Sequence, residues 1–328
     1  EIAARKSLKD QEALEIREAS QLFGYEDLEP STQIVMKEAM AQGIKVEVID
    51  RSSNFIRLSK GRKSRIVRQA TKSEFDTYLS YEIMDNKSVQ KIIMAEQGVS
   101  VPQGKTFSNI EDALAARPDF GKLDLVIKPN DTNYGIGINF ANAKEDQDYE
   151  KAVKDAFKYS KQVIVEEFVP GNEYRFLVVK DKVISVLHRL PANVVGDGSS
   201  TISQLIDVKN EDPRNYKFFS GYYIRKGKRE REFLKEQKLK LSSIPKKGEQ
   251  VFLRANSNVS TGGDPLEVID KIPDEFKRAA IDAAKSVDAV FCGVDLIVRD
   301  KPKRGQSKYS IIEINYNPAI QMHAYPVN

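Results

Sequence analysis

Apolar and polar residues alternate over Lys45–Val48 within Lys45–Ile49 (KVEVI), which predicts a strand, and Phe55–Leu58 and Arg65–Arg68 read as two more around a turn at Gly61. Ahead of them Ser31 stands where a helix N-cap belongs, and Ile34, Val35, Met36 and Ala39 supply an apolar stripe running to Gly43. These segments predict a small α/β unit. A second helix is expected over Asp85–Gly98 with Ile92, Ile93 and Ala95 on its apolar side, followed by a strand at Leu125–Lys128 that ends at Pro129. A helix near Asp148–Tyr159 and a strand at Val163–Phe168 come next, then a hairpin of Glu173–Val179 and Lys182–Leu187 across Asp181. The turn-rich VVGDGSST stretch opens a helix near Ile202, and Pro273–Val287 is a helix with Phe276, Ala280, Ala283 and Val287 on one face. Cys292–Arg299 and Tyr309–Tyr316 form a last, long hairpin. Residues 1–28 are charged, show no strand signal and read as a helical linker or the remnant of an upstream domain.

Composition narrows the class. The chain has 328 residues, 40% hydrophobic and 30% charged, which suits two or three subdomains of a soluble protein. Lys and Arg number 52 against 48 Asp and Glu, and a net charge of +4 does not imply a nucleic-acid or membrane partner. The single cysteine, Cys292, excludes an internal disulfide and suits a cytoplasmic location, where it is expected as a small buried strand residue and not a nucleophile. No apolar run approaches a membrane span and no signal pattern opens the chain. The first residue is Glu1, so the chain is expected to be processed or part of something longer.

The last hairpin carries the most specific chemistry. If Arg299 pairs with Tyr309, Asp295 stands opposite Glu313, and Asn315 shares their face because side chains alternate. Val294, Leu296, Ile312 and Ile314 then point the other way, into a core. Two opposed carboxylates repel, and a strand of Ile, Val and Leu is expected to keep them only around a cation. Oxygen-only ligands suit Mg²⁺. The inference holds for this register alone, since a slip of one residue separates the pair onto opposite faces, and alternation by itself equally fits a hairpin whose polar face meets water.

Other segments supply what a nucleotide needs. Lys87 follows Asp85 and Asn86 at a helix start, and Lys128 ends a strand before the loop Asn130–Gly137 (NDTNYGIG), where Gly135 and Gly137 let backbone N–H groups approach phosphates. That loop is neither a Walker loop nor a Rossmann fingerprint. Glu166, Glu167, Phe168 and Val169 run into Pro170 and Gly171, a hinge able to read adenine through its backbone, with Glu173 placed for ribose hydroxyls; an ordinary hairpin with exposed acids fits the same residues. Arg254 precedes a donor-rich loop, Asn256–Gly263, ending in Gly262 and Gly263, which suits an anion formed during reaction. Arg51, Arg57, Arg68 and Arg225 are candidates for substrate carboxylates by type only. His188 and His323 do not make a zinc site, although His323 lies close enough to the hairpin to line an acceptor pocket. The basic run Arg225–Arg231 reads as a solvated helix or a loop beside the site and not as a nucleic-acid interface.

The order of these motifs resembles the ATP-grasp superfamily of carboxylate–amine ligases: Lys87, Lys128 with its loop, EEFVPGNEYRFLV, LRANSNVSTGG, CGVDLI and IIEINYNP, from about Tyr25 to the C-terminus. GYEDLEPSTQ, RQATKSEFDTYLS, LPANVVGDG and NPAIQMHAYP are similar to the glutathione-synthetase half of the bacterial bifunctional γ-glutamate–cysteine ligase/glutathione synthetase. Gly293 stands where D-alanine ligases usually carry an arginine. The resemblance implies an α+β ATP-grasp fold of two subdomains clamping ATP: 85–170 and 171–328, with a small N-terminal α/β domain on the substrate side at 29–84, after the 1–28 linker or remnant. It implies that Lys87 and Lys128 hold phosphates, that Glu166–Val169 and Glu173 hold the nucleoside, and that Asp295, Glu313 and Asn315 bind two Mg²⁺, with Mn²⁺ as the substitute. It further implies that Arg254, Asn256, Gly262 and Gly263 stabilise an acyl-phosphate, and that γ-glutamylcysteine, glycine and ATP are the substrates of an ADP-forming ligase. A homo-oligomer, or a chain fused to or paired with a γ-glutamate–cysteine ligase domain, is expected. The alternatives are another peptide ligase of this fold, such as the cyanophycin-synthetase type, and a non-catalytic nucleotide-binding module.

Overall fold

The computed structural model describes residues 22–132, 135–142, 146–212, 223–300 and 307–327. The chain divides into two compact units, each assembled from separated segments: 1–75, 187–269 and 317–328 form the first, 76–186 and 270–316 the second.

The first unit opens with turns at 22–28 and then α1 (Pro30–Ala41). The helical reading of residues 1–28 lies outside the described residues up to 21, and the remainder is turn. Pro30 at the first helical position starts α1, so the N-cap is Glu29 and not Ser31. Ser31 is instead buried inside the helix, where its hydroxyl meets Gln321 Oε1 at 2.5 Å. Strands β1 (Lys45–Asp50), β2 (Phe55–Lys60), β3 (Lys63–Arg68) and β4 (Lys72–Ser73) form an antiparallel meander. Leu28, Met36 and Ile56 make the core between helix and sheet.

The second unit begins with α2 (Tyr78–Asp85), which the sequence pattern does not predict, and after Asn86 comes α3 (Lys87–Glu96), the helix expected over Asp85–Gly98, shorter by two residues at each end. An antiparallel sheet follows, ordered β5 (Gly104–Phe107), β8 (Val163–Glu167), β6 (Asp124–Pro129), β7 (Asn139–Asn142), with α4 (Ile110–Ala115) and α5 (Asp146–Ala156) on its core face. β9 (Gly171–Val179) turns into β10 (Lys182–Leu190), whose last residues belong to the first unit and pair there with β13 (Asp264–Glu267). The same unit holds β11 (Asn193–Val195) paired with β12 (Gln250–Phe252), together with α6 (Ile202–Glu211) and α7 (Lys228–Glu236), around Ile202, Ile206, Leu234 and Val251.

The chain returns to the second unit with α8 (Asp274–Ser286), β14 (Phe291–Arg299) and β15 (Tyr309–Asn315). β14 lies between β9 and β15. Cys292 is buried in β14, and burial raises its thiol pKa. The expected buried face of α8 holds, with Phe276, Ala280, Ala283 and Val287 inside. Helix α9 (Ile320–Ala324) closes the chain within the first unit.

Candidate active site

The last hairpin sets Asp295 opposite Glu313, although its register differs from the expected one near the loop. Val298, and not Arg299, faces Tyr309; Ile297 faces Ser310 and Leu296 faces Ile311. Continued to the end, that register would place Asp295 opposite Ile312 and put the acids on different faces. A bulge between Asp295 and Leu296 takes up Ile312 as an extra residue and restores Asp295 to Glu313, Val294 to Ile314 and Gly293 to Asn315. Ile311 therefore joins Val294, Leu296 and Ile314 in the core, while Ile312, expected there, is only half-buried.

The cation that makes this acidic face tolerable is already in the sheet. Arg175 of β9 pairs with Asp295 from the other side, so Arg175, Asp295 and Glu313 lie in a row across three strands. Arg175 Nε and Nη2 grip Asp295 Oδ1 and Oδ2, each at 2.6 Å, a buried bidentate pair. Burial works against the guanidinium charge, but Asp295, with Glu313 and Glu173, raises the Arg175 pKa overall. Asn315 Nδ2 lies 3.4 Å from Asp295 Oδ2 and 3.3 Å from Glu313 Oε1, so the three side chains converge on one point. Their oxygens fit a hard divalent cation, with the Asn315 amide turned to present Oδ1. Among the described residues no group of three or more His, Cys, Asp and Glu side chains is placed to hold a metal ion, and the hairpin itself offers two carboxylates and an amide.

Helix α3 brings the lysines to this face. The Asn86 side chain caps it, accepting from the N–H groups of Ser88 and Val89 at 3.2 and 3.1 Å. Asn130, at the end of β6, braces the same turn: its Oδ1 accepts from Ser88 N and Oγ at 2.9 and 2.8 Å, and its Nδ2 donates to Asn86 Oδ1 and Gln162 Oε1. Those four bonds use the whole amide, which makes Asn130 a brace of the site. Lys87 Nζ donates to Thr132 O at 2.7 Å, on the loop that holds Gly135 and Gly137. Both glycines have positive φ, and a Cβ on Gly137 would come within 2.6 Å of Pro129 Cγ. Asn133 and Tyr134 of that loop are outside the described residues. One turn on, Gln90 is buried and clips α3 to the hairpin: Ile314 N donates to its Oε1 at 2.6 Å, between Glu313 and Asn315.

The buried side of α3 is Gln90, Lys91 and Met94, not the expected Ile92, Ile93 and Ala95; Ile92 is 58% exposed. Lys91 reaches Glu166, whose other oxygen, Oε1, accepts from Lys128 Nζ at 2.7 Å. Burial lowers the pKa of both lysines, Lys91 well below its ordinary value; for Lys91 the nearby Lys128 adds to the effect, and for both Glu313 opposes it. The lysines and the acidic hairpin thus lie within electrostatic reach of each other.

In the hinge, Glu166 pairs with Gly104 on one side and Val126 on the other, while Glu167 N and Phe168 N donate to Gln103 O and Asp124 O. These bonds occupy the Glu167 and Phe168 amides, so a ring read through the backbone here falls to Val169. Glu167 is tied to Arg299 Nη2 at 2.9 Å, and Phe168 meets Phe140 edge-to-face at 5.7 Å on the surface. Glu173 lies two residues before Arg175, on the same strand face.

The first unit holds the remaining candidates. Arg254 Nε and Nη2 both reach Glu230 Oε1, at 2.6 and 2.5 Å. Glu230 is the buried acid of the basic run Arg225–Arg231, and its Oε2 accepts from Gly227 N at the start of α7. Gly262 has φ +97°, and a Cβ there would come within 2.7 Å of Ile224 Cγ1; on Gly263 it would lie 2.7 Å from Leu190 O. The loop between is held by Arg189 on Asn258 Oδ1 at 2.8 Å and by Lys209 on Asp264. Asn256 is half-buried within it. Arg51 and Arg57 are spent on surface pairs with Asp27 and Glu47. Burial lowers the His188 pKa.

Sequence reasoning missed Arg175, Gln90, Lys91 and Glu230. Parity along β9 places Arg175 beside Asp295 once the strand pairing is known. The other three are polar residues in helices, and nothing local marks them as buried.

Two family descriptions match the chain: an ATP-grasp-like domain over residues 26–79 and the phosphoribosylglycinamide synthetase ATP-grasp (A) domain over residues 85–192. The chain is 45% identical over 309 residues to the glutathione biosynthesis bifunctional protein GshAB of Clostridium perfringens, covering 93% of this chain and 40% of that protein. Against the protein of the same name from Listeria innocua it is 46% identical over 326 residues, covering 98% and 42%. The chain therefore spans about two fifths of the length of these curated relatives. The crystal structure of a bifunctional glutathione synthetase from Pasteurella multocida superposes with a TM-score of 0.72 at 37% identity, over 94% of this chain and 43% of that one. Among the described residues no helix is long and apolar enough to cross a membrane.

Proposed function

We propose that this chain, a member of the ATP-grasp superfamily, joins γ-glutamylcysteine to glycine and releases ADP and phosphate. ATP-grasp ligases use ATP and a divalent metal ion; in this proposal the metal is Mg²⁺, as two ions, with Mn²⁺ as the substitute. The observation that carries the reading is the meeting, on one unit, of the lysines of α3 and β6 with the opposed acids Asp295 and Glu313. Together they match a polyphosphate and the cation that accompanies it.

Lys87 and Lys128 hold the trailing phosphates through charge-assisted hydrogen bonds, and the Val169 amide reads the adenine edge. Asp295, Glu313 and Asn315 would hold the metal, which would supply charge neutralisation between the phosphates. A carboxylate oxygen of the cysteinyl residue attacks the γ-phosphorus, and the bond to the bridging oxygen breaks, leaving ADP and an acyl-phosphate. Arg254, aimed by Glu230, and the Asn256–Gly263 loop bind its oxygens. The glycine amine attacks the carbonyl carbon, the developing oxyanion is held by the same donors, and phosphate departs as the amine proton passes to solvent. Pairing or fusion with a γ-glutamate–cysteine ligase domain belongs to the same proposal, since the relatives are bifunctional and longer.

The test is ADP release from the purified chain over a matrix of donors and acceptors. Release that requires γ-glutamylcysteine and glycine together supports the reading. Release driven equally by aspartate- and arginine-containing substrates overturns it.

A further inference from the structure

Two ammonium groups share one buried carboxylate in the second unit. Glu166 is 2% exposed, Lys128 5% and Lys91 9%. Burying a third charge is expensive, and a Lys128–Glu166 pair alone is the cheaper arrangement. Packing offers no reason for Lys91 either, because α3 leaves Ile92 58% exposed while turning the lysine inward. The strands are adapted to the trio. Glu166 and Lys128 lie on one face of the sheet, since Glu166 opposes Val126 and Lys128 opposes Ile164. The neighbour on the other side is Gly104, where a Cβ would sit 2.6 Å from Glu166 Cβ.

Charge counting shows what Lys91 adds. Lys128 with Glu166 alone is a neutral pair whose ammonium is committed to its carboxylate. With a protonated Lys91 on the second oxygen, the trio carries an excess positive charge, and Glu166 divides its charge between two ammonium groups. We propose that Lys91 is a positioning residue of the nucleotide site, acting through Glu166 to keep the Lys128 ammonium available to nucleotide phosphates. This rests on the reading that Lys128 faces those phosphates.

The experiment compares ADP and adenosine binding to the full chain carrying Lys91→Met, Lys128→Met, or Lys91→Met with Glu166→Gln. Lys91→Met leaves Glu166 paired with Lys128, so no orphaned buried charge threatens folding, and the melting curve checks this. Lys91→Met is expected to weaken ADP by about tenfold, the usual scale of a charged hydrogen bond, and adenosine by less than about twofold. Adding Glu166→Gln restores the excess positive charge and is expected to recover most of the ADP affinity. A merely structural lysine would weaken adenosine as much as ADP and would not be rescued, and that result overturns the proposal. So does unchanged ADP affinity in Lys91→Met when Lys128→Met is weakened. Unchanged affinity in Lys128→Met overturns the underlying reading of Lys128 instead, and this proposal with it.

Discussion

Arg175 decides what the acidic face is before any metal arrives. Its guanidinium holds both oxygens of a buried Asp295, and Glu313 stands on the far side of that aspartate. Removing the arginine leaves the opposed carboxylates without the guanidinium that pairs with Asp295. Arg175→Met is therefore expected to destabilise the protein by about 3–5 kcal/mol, the range for breaking a buried ion pair from one side. Millimolar Mg²⁺ should recover more stability in this variant than in the parent, because the ion then supplies the missing charge. Thermal melts with and without Mg²⁺ read both effects. If Mg²⁺ stabilises the two proteins equally, Asp295 and Glu313 do not hold it. Asp295 and Glu313 were legible in the sequence because they interrupt apolar strands at alternate positions. Arg175 was not, because its partner lies 120 residues away.

Helix α3 is the element on which the site depends, and each of its turns is tied to a different part of the second unit. Lys87 reaches the glycine loop, Gln90 the backbone of β15, and Lys91 the centre of the β5–β8–β6 sheet. Its start is fixed by Asn86, which caps two N–H groups and also accepts from Asn130. Asn86→Ala removes the cap, worth about 1 kcal/mol, and leaves an Asn130 donor without its acceptor. The expected result is a melting point lower by a few degrees and a KM for ATP raised several-fold, with kcat nearly unchanged, because the first turn carries Lys87. An unchanged KM would mean that Lys87 does not depend on the turn it begins. The same element explains where periodicity misleads. Ile92, Ile93 and Ala95 look like a core stripe, yet the helix buries Gln90 and Lys91 because distant groups satisfy them, and a helical pattern carries no trace of a distant acid. The β14–β15 hairpin shows the converse. Its acids face each other as alternation requires, while the bulge that makes this so leaves only the doublet Ile311 and Ile312 in the sequence.

At the scale of the whole molecule, the units are discontinuous, and the second is completed only by its late segment. β9 pairs with β14 along its full length, Gly171–Val179 against Phe291–Arg299. Without that partner β9 becomes an open edge, and buried Arg175 loses Asp295. α8 is lost as well, with the apolar residues Phe276, Ala280 and Ala283 that it buries. A chain ending at Ile269 keeps every residue of the β5–β8–β6–β7 sheet and still lacks what closes the unit around β9. Such a chain is expected to retain much of its far-ultraviolet circular dichroism, to bind a hydrophobic dye, and to lose cooperative urea unfolding of this unit. Lys87, Lys91 and Lys128 would remain in the chain, but without β15 the Gln90 clip to Ile314 is gone, and α3 has no fixed seat against the acids. Its affinity for ADP should therefore fall below detection even where the helix itself persists. Cooperative unfolding with ADP affinity intact would show that the lysine sheet is a nucleotide-binding domain in its own right, and that the acidic hairpin serves only the chemistry that follows.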